Sequence, residues 1–286
     1  MKPFFSIIVV CLNPGEKLRK TLESIYVQTF RDYEVIVKDG GSKDGSLACI
    51  TKILDKEKVK LIEKKDQGIY DAMNQAAAQA AGDYVYYLNC GDLFYSKEVL
   101  EKMAEFIRSF DKAERDKEKE IPGIYYGNIF ERLTGQKVAS NPHMDAFGCY
   151  RNVPCHQACF YSRELLLAHP FQTSYRVRAD YEQFLWCFFA VQKEREVRFA
   201  YRDLMIADYE GGGFSETREN RRISAAEHKE ITGKYMPKGQ LLRFRMVMLL
   251  SLAPLRTKLA ENKATAGIYN KMKEAVYALK NRGRRK

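Results

Sequence analysis

Residues 6–12 (SIIVVCL) form an unbroken apolar, largely β-branched run, the pattern of a strand covered on both faces. Residues 13–16 (NPGE) read as a helix start. Asn13 can cap, Pro14 suits the first helical position, and Glu16 completes a capping-box-like pattern. Leu18, Leu22 and Ile25 then give that helix one apolar face. Residues 33–38 (YEVIVK) read as a second buried strand, running into Asp39-Gly40-Gly41-Ser42. The pattern predicts a helix over 46–54, a short strand over 59–63, an alanine-rich helix over 70–81 and a fourth strand over 84–88 (YVYYL). Strands alternating with helices indicate a parallel sheet with right-handed crossovers.

The second half is less regular. Residues 111–120 (DKAERDKEKE) are a charge run, read as solvated surface, and 124–130 and 156–161 read as strands. Residues 180–191 (DYEQFLWCFFAV) predict an apolar helix opened by an acid. Gly211-Gly212-Gly213 is the strongest flexibility signal, and helices are expected over 217–233, 241–252 and 266–279. The expected fold is α/β, a mostly parallel central sheet flanked by helices with a C-terminal helical extension. Its expected division is a main domain over 1–233 and a tail over 234–286.

Charge sharpens that division. The 286 residues carry a net +11, but residues 234–286 hold 14 Lys/Arg against 2 Asp/Glu, while residues 1–233 hold 34 against 35. The tail therefore suits an anionic surface, and the body does not. With 45% hydrophobic and 30% charged residues the chain reads as globular, not disordered. The seven cysteines are scattered, several within apolar runs, as in a reducing compartment. Cys155 and Cys159 are four apart, but no second pair with ligand spacing follows, so they read as core thiols before zinc ligands. The N-terminal apolar run has no small-residue cleavage site, and the stretch 246–255 is far short of a span of roughly 20 residues. A cytoplasmic protein, peripheral on the inner face of the membrane, is expected.

Ligands bind an open parallel sheet at the carboxyl ends of its strands. Those ends present Asn13, Asp39, Asp66 and Asp92. Neither G-x-G-x-x-G after the first strand nor G-x-x-x-x-G-K-[ST] occurs. A nucleotide here would need carboxylates for its base and ribose and a divalent cation for its pyrophosphate.

The runs SIIVVCLN, LESIYVQTFRDYEVIVKDGGSKDGS and DQGIYDAMNQAAAQAAGDYVYYLNCGD resemble the nucleotide-sugar half, residues 1–95, of a family 2 glycosyltransferase of the GT-A (Rossmann-like) fold. CHQACFYSRELL, RADYEQFLW and GGGFS resemble the acceptor half, residues 96–233, of its bacterial polysaccharide-building members. The resemblance implies an inverting transfer from a UDP-sugar to a hydroxyl of a lipid-linked or growing glycan. It implies that Leu12, Asn13, Asp39, Asp66, Gly68, Asn74, Asn89 and Gly91 line the nucleotide-sugar site, with Asp39 accepting from the uracil N–H. It further implies that Asp92 holds Mn²⁺ or Mg²⁺ and that Asp180 is the catalytic base, with Glu182 a neighbour easily mistaken for it. The family's fourth strand commonly ends in an acidic pair or D-x-D, whereas here Gly91 replaces the neighbour of Asp92. His156, Gln157, Arg218 and Arg222 are candidate acceptor or pyrophosphate contacts.

Plainer roles compete. Asp39 and Asp92 precede or follow glycine as ordinary turn residues do, Asn13 and Asp180 suit helix caps, and His156 and His228 suit structural hydrogen bonds. A nucleotidyltransferase would want a basic glycine-rich loop after the first strand, and NPGE is neither. A nucleic-acid-binding protein is suggested only by the tail; the body carries no basic stripe, and no nucleic-acid partner is expected.

Overall fold

A computed structural model describes residues 2–53, 58–113, 121–212 and 217–250. The chain divides into two compact units, Met1–Tyr235 and Met236–Lys286. In the first, β1 (Phe5–Cys11), α1 (Glu16–Tyr26), β2 (Tyr33–Asp39), α2 (Ile50–Ile53), β3 (Val59–Glu63), α3 (Ile69–Ala77) and β4 (Tyr84–Tyr87) follow one another. Next come β5 (Leu93–Phe94), α4 (Val99–Ala113), β6 (Gly123–Glu131), β7 (Gln136–Val138) and α5 (Ala146–Arg151). They are followed by β8 (Cys159–Ser162), α6 (Arg163–Ala168), α7 (Ala179–Leu185), β9 (Arg198–Tyr209) and α8 (Arg218–Tyr235). The described strands form one sheet in the order β3-β2-β1-β4-β8-β6-β9-β5, with β7 on β6.

The half β3-β2-β1-β4 is parallel throughout. Beyond β4 it becomes mixed: β8 runs antiparallel to β4 and β6, while β9 runs parallel to β6. Ile7 and Ile8 on β1 and Val35 and Ile36 on β2 are all buried, so both faces of the sheet are covered, as the continuous apolar runs require. Leu18, Leu22 and Ile25 of α1 are fully buried, and each such side chain contributes about 1.5–3 kcal/mol. Across β4 the core turns aromatic, Tyr86 stacking on Phe160 at 4.4 Å and on Phe94 at 5.1 Å.

Four local expectations change. Helix α1 starts at Glu16 with Gly15 at its N-cap and no side-chain cap, so Asn13 does not cap it and no capping box forms. Asn13 is held instead at φ 46° between two loops. Residues 46–49 form a 3₁₀ turn before α2, and His156–Ala158 is a 3₁₀ turn leading into β8, not part of a strand. The helix opened by Asp180 ends at Leu185 and continues as one π-helical turn over Trp186–Ala190. Within the charge run 111–120, residues 111–113 close α4; the rest of that run, Gly213, and everything beyond Leu250, including the expected 266–279 helix, lie outside the described residues.

The second unit is described to Leu250. Its helix α9 (Lys238–Leu250) buries Leu241 and Phe244 and exposes Leu242, Met246, Val247, Leu249 and Leu250, with Arg243 and Arg245 also exposed. Among the described residues, no helix is long and apolar enough to cross a membrane.

Candidate active site

Strands β1 and β2 end in register, Cys11 opposite Asp39, which brings two loops together at the carboxyl edge. Asp39 is 1% exposed. Its Oδ2 accepts from the amides of Gly41 (2.8 Å) and Ser42 (2.7 Å), and its Oδ1 accepts from the Ser42 hydroxyl and, at 3.7 Å, the Cys11 thiol. Burial pushes this carboxyl up, but the hydrogen bonds from Ser42 and Gly41 outweigh it and leave it below the usual carboxylate value. The thiol is the weakest of these donors, so Oδ1 is the atom with capacity for a further N–H. Asn13 completes the loop pair: its amide donates to Ser42 Oγ (2.7 Å) and its Oδ1 accepts from the Lys43 amide (2.9 Å). Leu12 beside it is exposed.

Beneath these loops lies Lys38, fully buried. Its ammonium donates to the carbonyls of Asp39 (3.0 Å) and Lys64 (2.5 Å) and to Asp66 Oδ2 (2.9 Å). Asp66 Oδ1 accepts from the amide of Gly68, the N-cap of α3 at φ 127°. A Cβ at Gly40 would stand 2.9 Å from Asp66 Oδ2, which explains why glycine follows Asp39. Lys38 therefore ties the second strand end to the third.

The fourth strand end is a tight turn. Thr21 of α1 accepts from the Gly91 amide (3.0 Å) and donates to the Asp92 carbonyl (2.9 Å). Asp92 is 4% exposed; its Oδ1 accepts from the Glu210 amide and its Oδ2 from Gln157 Nε2, both at 2.9 Å. Burial pushes its carboxyl up. Gly91 stands at φ 106°, and a Cβ there would meet Glu210 Oε2 at 2.7 Å. Glu210, just past β9 and paired with Lys17 at 2.7 Å, thus fills the space that a second acid at position 91 would need. Glu210 carries one signal in the sequence, an acid directly preceding the glycine triplet, and is not among the residues expected above.

Residues 156 and 157 join this turn to the acid opening α7. Gln157 holds Asp92, while His156 meets Asp180 Oδ2 through Nδ1 (3.2 Å) and Asn89 Nδ2 through Nε2 (3.0 Å). Asn89 Oδ1 is buried without a partner among the described residues. Asp180, its side chain 22% exposed, also accepts at Oδ1 from the Tyr70 hydroxyl and the Tyr181 amide, both at 2.9 Å. Burial raises its proton affinity, but His156, Tyr70 and the amide outweigh it and hold the carboxyl below its usual value. Glu182 faces elsewhere. Fully buried, it accepts from His169 Nε2 (2.9 Å), Lys234 Nζ (2.7 Å) and the Tyr235 hydroxyl, and its carboxyl falls to about 2: burial opposes the shift, and these three hydrogen bonds drive it. It anchors the end of α8 and cannot reach an acceptor.

The structure thus brings together Asp92, Asn89, Gly91, His156, Gln157 and Asp180, and separately Asn13, Asp39, Asp66 and Gly68. Asn74 is engaged in packing: its amide clips the backbone of Phe171, donating to its carbonyl (2.8 Å) and accepting from its N–H (2.9 Å). Arg218 and Arg222 lie exposed on the first turns of α8, and no hydrogen bond or ion pair between described residues joins them to Asp92 or Asp180. His228 Nε2 donates to the Tyr150 carbonyl (2.7 Å), a structural role. Burial raises the Cys155 thiol to about 12 and Cys159 well above its ordinary value. Among the described residues no group of three or more His, Cys, Asp or Glu converges. Asp92, with Glu210 following β9 beside it, is where this edge offers carboxylate oxygens that could meet a hard cation held also by pyrophosphate and water.

Comparison with known proteins gives the geometry its context. The family model described as Glycosyl transferase family 2 matches residues 6–165. A PGL/p-HBAD biosynthesis glycosyltransferase of Mycobacterium tuberculosis is 31% identical over 252 residues, 87% of this chain and 90% of that one. TarS 1-349 of S. aureus, solved in complex with UDP-GlcNAc, superposes with a TM-score of 0.56 at 19% identity, covering 81% of this chain and 71% of that one. The mannosyltransferase PcManGT of Pyrobaculum calidifontis, solved with GDP-Man and Mn²⁺, gives 0.54 at 15% identity over 98% and 81%. Both share the mixed α/β fold described above.

Proposed function

The chain belongs to glycosyl transferase family 2, and from that premise we propose that it moves a sugar, with inversion, from a UDP-sugar to a hydroxyl of a lipid-linked or growing glycan. The observation that carries this reading is the seating of Asp92 and Asp180 on the adjacent side chains of Gln157 and His156. One acid stands at the edge where strand ends accept nucleotides, and the other opens the helix beside it. UDP-GlcNAc in the complex with TarS and the PGL/p-HBAD biosynthesis role of the mycobacterial relative support the donor and acceptor classes.

In an inverting transfer the acceptor oxygen attacks the anomeric carbon opposite the departing nucleotide. A new C–O bond forms as the sugar–phosphate bond breaks, and the electron pair leaves with the diphosphate. The acceptor's proton passes to Asp180, which is ionised and partly open to solvent. Asn13, Asp39 and Asp66 hold the base and ribose, with Leu12 against the base. A divalent cation held by Asp92 and Glu210 would neutralise charge growing on the leaving diphosphate, and the Mn²⁺ found with PcManGT supports that choice. The exposed apolar residues of α9, set among Arg243 and Arg245 in a segment of net +12, support docking on an anionic membrane surface where a lipid-linked acceptor lies.

The test is UDP release from UDP-GlcNAc, with and without Mn²⁺, beside UDP affinity by calorimetry. Asp180→Asn is expected to keep UDP affinity and lower turnover by about 10² or more, because an amide cannot take the proton. Unchanged turnover would remove Asp180 from the role of base.

A further inference from the structure

The stretch GIYDAMN (residues 68–74) is only partly used by that reading. Gly68 caps α3 and Asn74 clips Phe171, but Tyr70 reaches across to the acceptor half. We propose that Tyr70 is a positioning residue for Asp180, whose single hydroxyl proton follows the charge of that carboxylate. Its catalytic meaning rests on Asp180 being the base.

The argument is one of hydrogen accounting. The buried Tyr70 hydroxyl lies 2.7 Å from the carbonyl oxygen of Val177 and 2.9 Å from Asp180 Oδ1. Both facing atoms are acceptors, and a tyrosine has one proton to donate. When Asp180 is ionised, the charge-assisted bond to the carboxylate is the stronger. When Asp180 has taken a proton, that advantage disappears and the Val177 carbonyl takes the hydroxyl hydrogen.

The surroundings hold the heavy atoms around this hydrogen in place. The Val177 peptide is fixed from its other side, because Glu227 of α8 accepts from three successive amides, Arg176 (2.6 Å), Val177 (3.0 Å) and Arg178 (2.9 Å). The Arg178 side chain donates to Ser224 Oγ (2.7 Å) and to the Ser224 carbonyl (2.9 Å), which pins the strap again. The Tyr70 ring packs on Phe171, 5.5 Å between centroids. Asp180 can therefore gain and lose a proton while its carboxylate stays where the acceptor needs it; the hydroxyl turns instead. Other titratable groups act on this pair: His156 on the turn before β8, the Cys155 and Cys159 thiols and the Tyr161 phenol around that turn and strand, and Glu227 from α8.

Carboxyl NMR tests the proposal without substrate. Full-length protein labelled with ¹³Cγ-aspartate is titrated with acid, the Asp180 resonance being identified by its loss in Asp180→Asn. In the unaltered protein Asp180 should titrate below the ordinary aspartate range or stay ionised as far as the fold persists. Tyr70→Phe removes a bond made to the ionised form, so the midpoint should rise by about one pH unit. Glu227→Gln loosens the strap without touching the hydroxyl and should move the midpoint by no more than about 0.3. Should Tyr70→Phe not fold, 3-fluorotyrosine at position 70, which keeps the shape and makes the hydroxyl a better donor, should lower the midpoint. An unmoved midpoint in the Tyr70 variant that folds overturns the proposal, as does an equal shift in Glu227→Gln. Because this readout does not involve sugar transfer, its failure is separate from unchanged turnover in Asp180→Asn, which would overturn the base itself.

Discussion

Replacing Lys38 with methionine should unfasten the nucleotide edge from below. Methionine keeps most of the stem and removes the ammonium, so the core around β2 stays filled while three hydrogen bonds vanish. The carboxylate left behind, Asp66, is only 16% exposed and has one other donor, the Gly68 amide at 3.2 Å. Breaking a buried pair by removing one partner costs about 3–5 kcal/mol. Partial hydration of Asp66 argues for the lower end, and the two orphaned carbonyls argue against going below it. A loss of about 3–4 kcal/mol is the expectation, which for a domain of this size lowers the melting temperature by about 10 °C. Urea unfolding measures the first quantity and scanning calorimetry the second. The double variant Lys38→Met/Asp66→Asn leaves no uncompensated charge and should recover at least half of the loss, since paired groups are not additive. UDP affinity should fall in the single variant, because Asp66 and the Asp39 carbonyl lose their common tether. A single variant within about 1 kcal/mol of the parent, or a double variant no better than the single, would refute the reasoning.

Two further outcomes follow from other parts of the molecule. Glu182 has its carboxyl depressed from 4.5 to about 2, so its contribution to stability is complete above pH 4.5 and drains away as pH falls toward 2. Glu182→Gln should accordingly cost about 3 kcal/mol at pH 7 and much less near pH 2.5, and parallel denaturation curves at the two pH values check this. Replacing Leu242 and Leu249, both exposed on α9, with glutamate should abolish co-sedimentation with phosphatidylglycerol vesicles at low salt; unchanged sedimentation would leave the membrane without a role for that helix.

The parts of the fold legible in sequence were those whose signal is local. Strands β1, β2 and β4 are buried on both faces and declare themselves as uninterrupted apolar runs, and their polar ends name Asp39 and Asp92. Strand β9 was passed over because Arg198, Arg202, Asp203 and Asp208 break its alternation, although it is the longest described strand of the sheet. Helix α4 was missed for a different reason. Its apolar spacing (Val99, Leu100, Met103, Ala104, Ile107) was available, but the charge run at its end drew the reading toward surface. Within the site, Asp39, Asp92, Asp180, His156 and Gln157 stand out in the sequence, whereas Glu210 and Tyr70 do not. Glu210 reaches Asp92 across 118 positions and Tyr70 reaches Asp180 across 110, separations at which no spacing rule operates. Asn74 shows that a residue of such a motif also serves as a packing clip across 97 positions.

The seating of two acids on two consecutive residues makes residues 156 and 157 a ruler. Gln157 and His156 are joined by one peptide unit, so Asp92 and Asp180 are each held from one of two neighbouring residues and their separation is bounded by the reach of those two side chains. Deletion or insertion of a single residue there would put one of the two acids out of register, because β8, paired with β6 and β4 from Cys159 on, fixes the chain that follows. Engineers who graft loops onto this scaffold therefore have in this dipeptide a fixed datum from which to measure, provided α8 is kept so that Glu227 still holds residues 176–178.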